Sequence, residues 1–257
     1  MAGENIERST EVELDFLANV SLGNYGQSKD FISKFGENPS LGTSTSEDII
    51  SQGGLYPFVS VSEKVSLVSS IATDTSAGTG AQSVVISGLD ENFYRIKETI
   101  ITNGITAVQS TKTYIRIFRA FVGDVGTSGL NNGDITIIGV DVPGNTYASI
   151  LTGCGQTLMA IYTIPMGFTG YVVGYSFGVT RTQPASADVK IFTREFEKSW
   201  RIRRFKSVSA QGKNTDLTDF NFYIKLPEKS DIRLNADVSL TNTGVHGGFD
   251  ILLIKQS

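Results

Sequence analysis

An all-β, antiparallel fold is what this sequence predicts, and three observations predict it. Apolar residues recur at a two-residue period in short runs, Gly, Asn, Asp and Pro punctuate those runs, and no segment reads as a long helix. The composition agrees. Fifteen Phe and nine Tyr stand against three Met and one Trp, and 27 glycines supply the positive φ that tight turns need. A hydrophobic share of 40% beside 19% charged residues is that of a chain with a core.

Taken in order, residues 1–58 are polar and broken by Gly23, Gly26, Gly36, Pro39, Gly42, Gly53, Gly54 and Pro57. They predict an extended N-terminal arm, wrapped on its own body or laid on a partner. Asp30–Phe35 suggests a short helical turn with Phe31, Ile32 and Phe35 on one side, and Ser44 or Ser46 a cap for another at 47–50. Strands follow at Val59–Val61, Val65–Val68, Ser83–Ser87, Tyr94–Thr102, Thr113–Phe121 and Asp134–Val140, with turns such as Gly88–Asn92 and Asn103-Gly104 between. The same grammar resumes at Leu158–Ile164, Thr169–Val179, Asp188–Phe205, Phe220–Leu226, Ile232–Leu240 and Gly248–Lys255. The spacing is that of a sandwich or barrel. Two packed β lobes, 59–145 and 146–257, are favoured over one continuous domain 59–257, and the second half holds enough strands for a jelly roll of its own.

Chemistry is hard to find along this chain. A net charge of −4 gives no global case for nucleic acid. The lone Cys154, between two glycines, reads as a turn residue. The opening residues carry no signal-peptide pattern and no run of about 18 apolar residues occurs, so a product made in the cytoplasm, away from membranes, is expected. One Cys and one His fall short of a zinc site, and His246 reads as an exposed loop residue. Asp90, Asp124, Asp134 and Asp141 sit at turns without the spacing of a calcium loop. Ala77–Ala81 precedes a strand and does not open a helix, so it is a turn and not a phosphate loop. Glu195 and Glu197 read as cross-strand ion-pairing residues. Neither a cofactor, a metal nor a catalytic residue is expected.

The most distinctive charge pattern is Arg194–Lys206, which sets basic residues and the only Trp in an acidic chain. It reads as an edge strand guarded by charge, or as a surface for a protein partner, with nucleic acid or glycan less favoured. Candidate partner-binding residues are Trp200, Arg201, Arg203 and Arg204 here, and Phe31, Phe35, Asn38, Pro39 and Tyr56 in the arm. A glycan-binding head would instead use Tyr147, Tyr162, Tyr171, Tyr175 and Trp200.

Several strings resemble, in order and spacing, a family of virion structural proteins of tailed bacteriophages, particularly marine ones. They include Phe35-Gly36-Glu37-Asn38-Pro39, Gln52–Phe58, Asp74–Ala81, Gly88-Leu89-Asp90, Glu98-Thr99-Ile100, Tyr114–Ala120 and Gln156–Pro165. They span most of residues 35–165. The resemblance implies a non-enzymatic component of the phage particle: capsid decoration or cement, or else a neck, tail or fibre protein. It implies other virion proteins as partners and a homo-oligomer, a trimer above others.

Overall fold

The computed structural model describes residues 19–20, 22–142, 144–180, 185–210 and 215–256. The chain first runs out along β1 (Lys29–Leu41) and a two-residue β2 (Glu47–Asp48). It then builds seven strands in succession: β3 (Glu63–Ser69), β4 (Ser83–Leu89), β5 (Arg95–Ile101), β6 (Val108–Tyr114), β7 (Arg116–Val122), β8 (Ile135–Gly139) and β9 (Thr146–Ile150). It comes back through β10 (Ile161–Thr163), β11 (Phe168–Thr180), β12 (Ser186–Arg194), β13 (Arg201–Ser209), β14 (Thr215–Leu226), β15 (Asp231–Val238) and β16 (Thr243–Lys255). All pairings between these strands are antiparallel.

The outgoing and returning strands form two facing sheets, ordered β1-β16-β11-β14 and β10-β15-β12-β13. Leaving aside β2, these are eight strands, and in chain order they lie first-eighth-third-sixth and second-seventh-fourth-fifth. That winding is a jelly roll. Strict alternation builds it: in β12, Ala187, Val189, Ile191 and Thr193 are buried, and the residues between them are half-buried. Val172, Phe177, Val189, Ile191, Leu234, Phe249 and Ile251 share one core, each fully buried aliphatic contributing about 1.5–3 kcal/mol.

The intervening strands form two smaller sheets, β6-β3-β8-β9 and β5-β4-β7, over a second core that includes Val65, Leu67, Ile86, Ile117, Ile137 and Tyr147. This β lobe is inserted between the first and second strands of the jelly roll. Its stem is a short antiparallel pair. Ala160 N–H donates to the Ile49 carbonyl at 2.9 Å and Ser51 N–H to the Leu158 carbonyl at 3.0 Å. The stem rests on Gly36, where a Cβ would lie 2.2 Å from the Ile49 oxygen and 2.4 Å from the Ala160 nitrogen. Only glycine fits there.

Several expectations are corrected. Residues 29–58 are not an arm, because β1 pairs with β16 along its length and Leu41, Ile49, Ile50 and Tyr56 are core residues. Residues 1–18 of the expected arm lie outside the described residues. The segment expected to turn helically at 30–35 is strand, its apolar side chains gaining more from the β16 ladder than from one isolated turn. The cores also divide the chain elsewhere than at 145/146: Tyr147, Ala148, Ile150 and Met159 belong with the inserted lobe, and Leu41 and Ile49 with the jelly roll. The long alternating run 188–205 is broken by a turn into β12 and β13, with Glu197 at φ 58°. Glu195 and Glu197 sit in that turn and not across a strand pair.

Candidate interaction site

The two lobes are clamped together by charge. Asp231 begins β15 in the jelly roll and is buried; Arg116 begins β7 in the inserted lobe and is buried too. Arg116 Nε donates to Asp231 Oδ1 at 2.9 Å and Nη2 to Oδ2 at 3.1 Å, the two-pronged pairing that a guanidinium makes best. Its Nη1 donates to the carbonyls of Val59 and Ile115, at 2.6 and 2.7 Å. Register across β12 and β15 puts Arg194 opposite Asp231, and Arg194 Nε donates to Oδ2 at 3.1 Å. The Thr163 hydroxyl donates to Oδ1 at 2.6 Å. One carboxylate thus gathers two guanidiniums and a hydroxyl.

Aromatic rings enclose this cluster. Arg116 lies 5.2 Å from the Phe58 ring centre and 5.6 Å from that of Phe93. Arg194 is 4.7 Å from Trp200, and Arg233 approaches the same ring at 4.5 Å. A cavity of about 330 Å³ opens beside it, with Phe93, Phe196, Glu91, Glu197 and Lys229 among its lining. Phe93, Glu197 and Lys229, on three separate turns, hold φ of 64°, 58° and 61°, a conformation that costs non-glycine residues of order 1–3 kcal/mol each. The lining is formally neutral, with Arg116, Arg194 and Lys229 facing Glu91, Glu197 and Asp231, and it contains neither histidine nor cysteine. Its arginines are committed to Asp231. The arrangement is a clamp.

Other buried charges also serve the fold. Burial would raise Glu63, but donation from the Tyr147 hydroxyl, the Asn145 amide and the Val142 and Asp141 backbone holds its carboxyl below the ordinary value. Asp74 behaves the same way, with Asn132, Ser69, Ala81 and Gly133 as donors, and so ties the 77–81 turn to the 131–133 loop. Burial pushes Asp48 up despite Arg233 beside it. Lys34 is driven well below its ordinary value by burial, then by Arg119, while its Nζ donates to the Phe118 carbonyl of the inserted lobe. Among the described residues, no group of three or more His, Cys, Asp or Glu is placed to hold a metal ion, and no helix is long and apolar enough to cross a membrane.

The exposed counterpart of the clamp is β13, which among the described residues is the last strand of its sheet. Ile202 is 53% exposed and Phe205 55%, and Arg201, Arg203 and Arg204 are exposed with them. A register shift sorts the two kinds of side chain: Phe192 pairs with Ile202, but Ile191 pairs with Arg204, so β13 carries one extra residue. Ile202 and Phe205, three apart, therefore share the outer face with Phe192 and Lys190. Arg201, Arg204 and Lys206 fall on the other face, opposite Thr193, Ile191 and Val189.

The residues expected to bind partners do not form one site. Arg201, Arg203 and Arg204 lie together on β13. Trp200 is half-buried, its ring edge-on to Phe58 at 4.9 Å, so it packs the clamp. Tyr56 is in the core with its hydroxyl oxygen accepting from Ile117 N–H at 2.7 Å, and buried Asn38 ties β1 to Glu47; both are structural. Phe31 is half-buried beside Leu252, while Phe35 and Pro39 are exposed on β1, Phe35 under Arg119 at 5.7 Å. Tyr147, Tyr162 and Tyr175 are buried, which removes them as sugar-stacking rings. His246 is not in a loop but on β16, opposite Glu37 and Gly178. Asp231, Arg116 and Lys34 were not legible as a site, because their partners are far away in sequence and no motif marks them.

All-β, with a jelly roll carrying an inserted β lobe, is the class these observations define. No family model and no curated protein matches the chain. Among solved structures, one of the infectious bursal disease virus Gt strain matches at 12% identity and a TM-score of 0.24, over 89% of this chain and 73% of that one. The crystal structure of the infectious bursal disease virus VP2 subviral particle matches at 11% identity and a TM-score of 0.24, over 94% and 78%. Superpositions at that score carry no argument about function. They are nevertheless chains of a virus other than a tailed bacteriophage, and the resemblance to tailed-phage virion proteins, with its decoration, neck, tail and fibre placements, is corrected accordingly.

Proposed function

We propose that this chain is a non-enzymatic structural subunit of a virus particle, made in the host cytoplasm and built into the virion beside other particle proteins and further copies of itself. One observation carries the reading: the eight-strand winding is a jelly roll, an architecture used by capsid domains, and its strand β13 exposes cations and large apolar side chains together. The first half of that argument is an analogy of fold; the second is a property of this surface. The described buried charges are spent on joining lobes and loops, which suits a rigid block. We further propose that the two cores act as two domains, the inserted one displayed away from the contacts made by the jelly roll, and that the smallest assembly is a trimer.

Expression of the chain alone, followed by light scattering and negative-stain electron microscopy across a range of concentrations, tests this. Trimers, rings or closed shells are expected. A strictly monomeric protein at high micromolar concentration, with no incorporation into particles when co-expressed with its neighbouring genes, would overturn it.

A further inference from the structure

The cavity at the lobe junction holds more than the clamp requires. Among the described residues, four that are not glycine have positive φ, and three of them, Phe93, Glu197 and Lys229, line this one space. The fourth, Asn242, is of a type that tolerates such a backbone; phenylalanine, glutamate and lysine adopt it only at a cost. The three sit on different turns, from β4 to β5, β12 to β13 and β14 to β15. The first turn is held by Asp90, whose Oδ1 accepts from Asn92 N–H and Tyr94 N–H, both at 2.9 Å. The Asp231 pairs themselves run through Arg116, Arg194 and Thr163, not through these three side chains. Strain gathered at three turns around one cavity is the mark of a binding place and not of packing alone.

We propose that this cavity binds a small organic carboxylate with an aromatic or aliphatic body. Charge argues for the anion. One carboxylate, Asp231, is shared by two guanidiniums, so the cluster keeps a positive charge over. Lys229 adds another. It makes no ion pair among the described residues, and its Nζ lies 5.4 Å from the Phe93 ring centre and 5.0 Å from that of Phe196. The acids that oppose these cations in the lining, Glu91 and Glu197, are exposed, and solvent screens them. An anion is therefore drawn inward more strongly than the two exposed acids repel it. The walls choose its body. Phe93 and Phe196 stand edge to face with ring centres 5.5 Å apart, and Phe58 lines the same space. About 330 Å³ is at the small end of ligand pockets, room for one ring or a short chain beside the carboxylate. Phe93 belongs to the inserted lobe, Phe196 and Lys229 to the jelly roll, so the bound molecule bridges both and tightens their junction.

The full chain is titrated calorimetrically, at fixed ionic strength, with phenylpropionate, with phenylpropionamide and with phenylethylammonium. The carboxylate is expected to bind, the amide about tenfold more weakly, the loss that goes with one hydrogen bond to a charged group, and the ammonium not at all. Position is read from the fluorescence of Trp200, the only tryptophan, whose ring centre is 4.9 Å from that of Phe58. Bound carboxylate is also expected to raise the unfolding temperature. Lys229→Met keeps the aliphatic stem and is expected to abolish the preference for carboxylate over amide. Glu91→Gln/Glu197→Gln is expected to tighten carboxylate binding severalfold, and unfolding curves check that each variant is folded. No binding of the carboxylate up to about 10 mM, equal binding of carboxylate and amide, or a preference for the ammonium overturns the proposal. So does a carboxylate preference that survives Lys229→Met. None of these outcomes bears on self-association, so the assembly reading stands or falls separately.

Discussion

The junction around Asp231 and the edge strand β13 use the same residue types, arginines beside aromatic rings, for opposite ends. At the junction Arg116 and Asp231 are 5% and 3% exposed and pair with each other. On β13 the arginines and two large apolar side chains face outward. Desolvation makes the difference. A buried guanidinium must be paired or it costs several kcal/mol, whereas an exposed one costs little with or without a partner. The first arrangement therefore fixes a shape, and the second offers a surface.

That contrast can be broken at its strongest point by Asp231→Ala, which strands Arg116 and Arg194. A loss of about 3–5 kcal/mol is expected, read by urea denaturation, together with separation of the two lobes into distinct unfolding steps. A loss below about 1 kcal/mol would remove the clamp from the account. Gly36→Ala attacks the same junction through the backbone, since its new Cβ would meet the Ile49 oxygen and Ala160 nitrogen. About 1–3 kcal/mol is expected from such overpacking, with a matching drop in melting temperature, and a wild-type melting curve would contradict the close approach.

Acid sharpens the comparison within the inserted lobe. The Glu63 carboxyl is held below its ordinary value by four donors, so its folded form binds protons less readily than its unfolded form. Its contribution to stability is complete above the unfolded value and fades as pH falls through the folded one. Glu63→Gln should lower stability at neutral pH by about 1–3 kcal/mol and flatten the loss of stability between neutral and acid pH. An equally steep acid profile in the variant would assign that loss to other groups. The smallest effect on stability belongs to the edge: Phe205→Ser should change unfolding free energy by no more than about 0.5 kcal/mol while weakening self-association measured by light scattering. A large stability loss with intact association would reverse the roles given to the two regions.

How much could be read in advance follows from the range of the interactions. Strand runs such as 83–89 and 169–179 were legible because alternation and turn residues act within about ten positions. The exposure of 201–206 was legible too, since four basic residues in six positions cannot be buried together. Residues 29–41 were misread as arm because their partner, β16, lies at the other end of the chain, and Lys29 meets Ile254. The packing of Trp200 was not legible, because its neighbours Phe58, Arg194 and Arg233 come from three segments.

By itself, then, the sequence determined that this chain is sheet and turn throughout its described body, that it carries a basic edge in an acidic molecule, and that its glycines mark tight places. The tertiary structure alone decided that residues 29–49 close the jelly roll, that the strands from β3 to β9 are an insertion, and that Asp231 joins the two. The reason is physical. Periodicity is a local property of a strand, but which strand lies beside it, and which distant charge is buried with it, are settled only when both faces of a sheet must be covered at once.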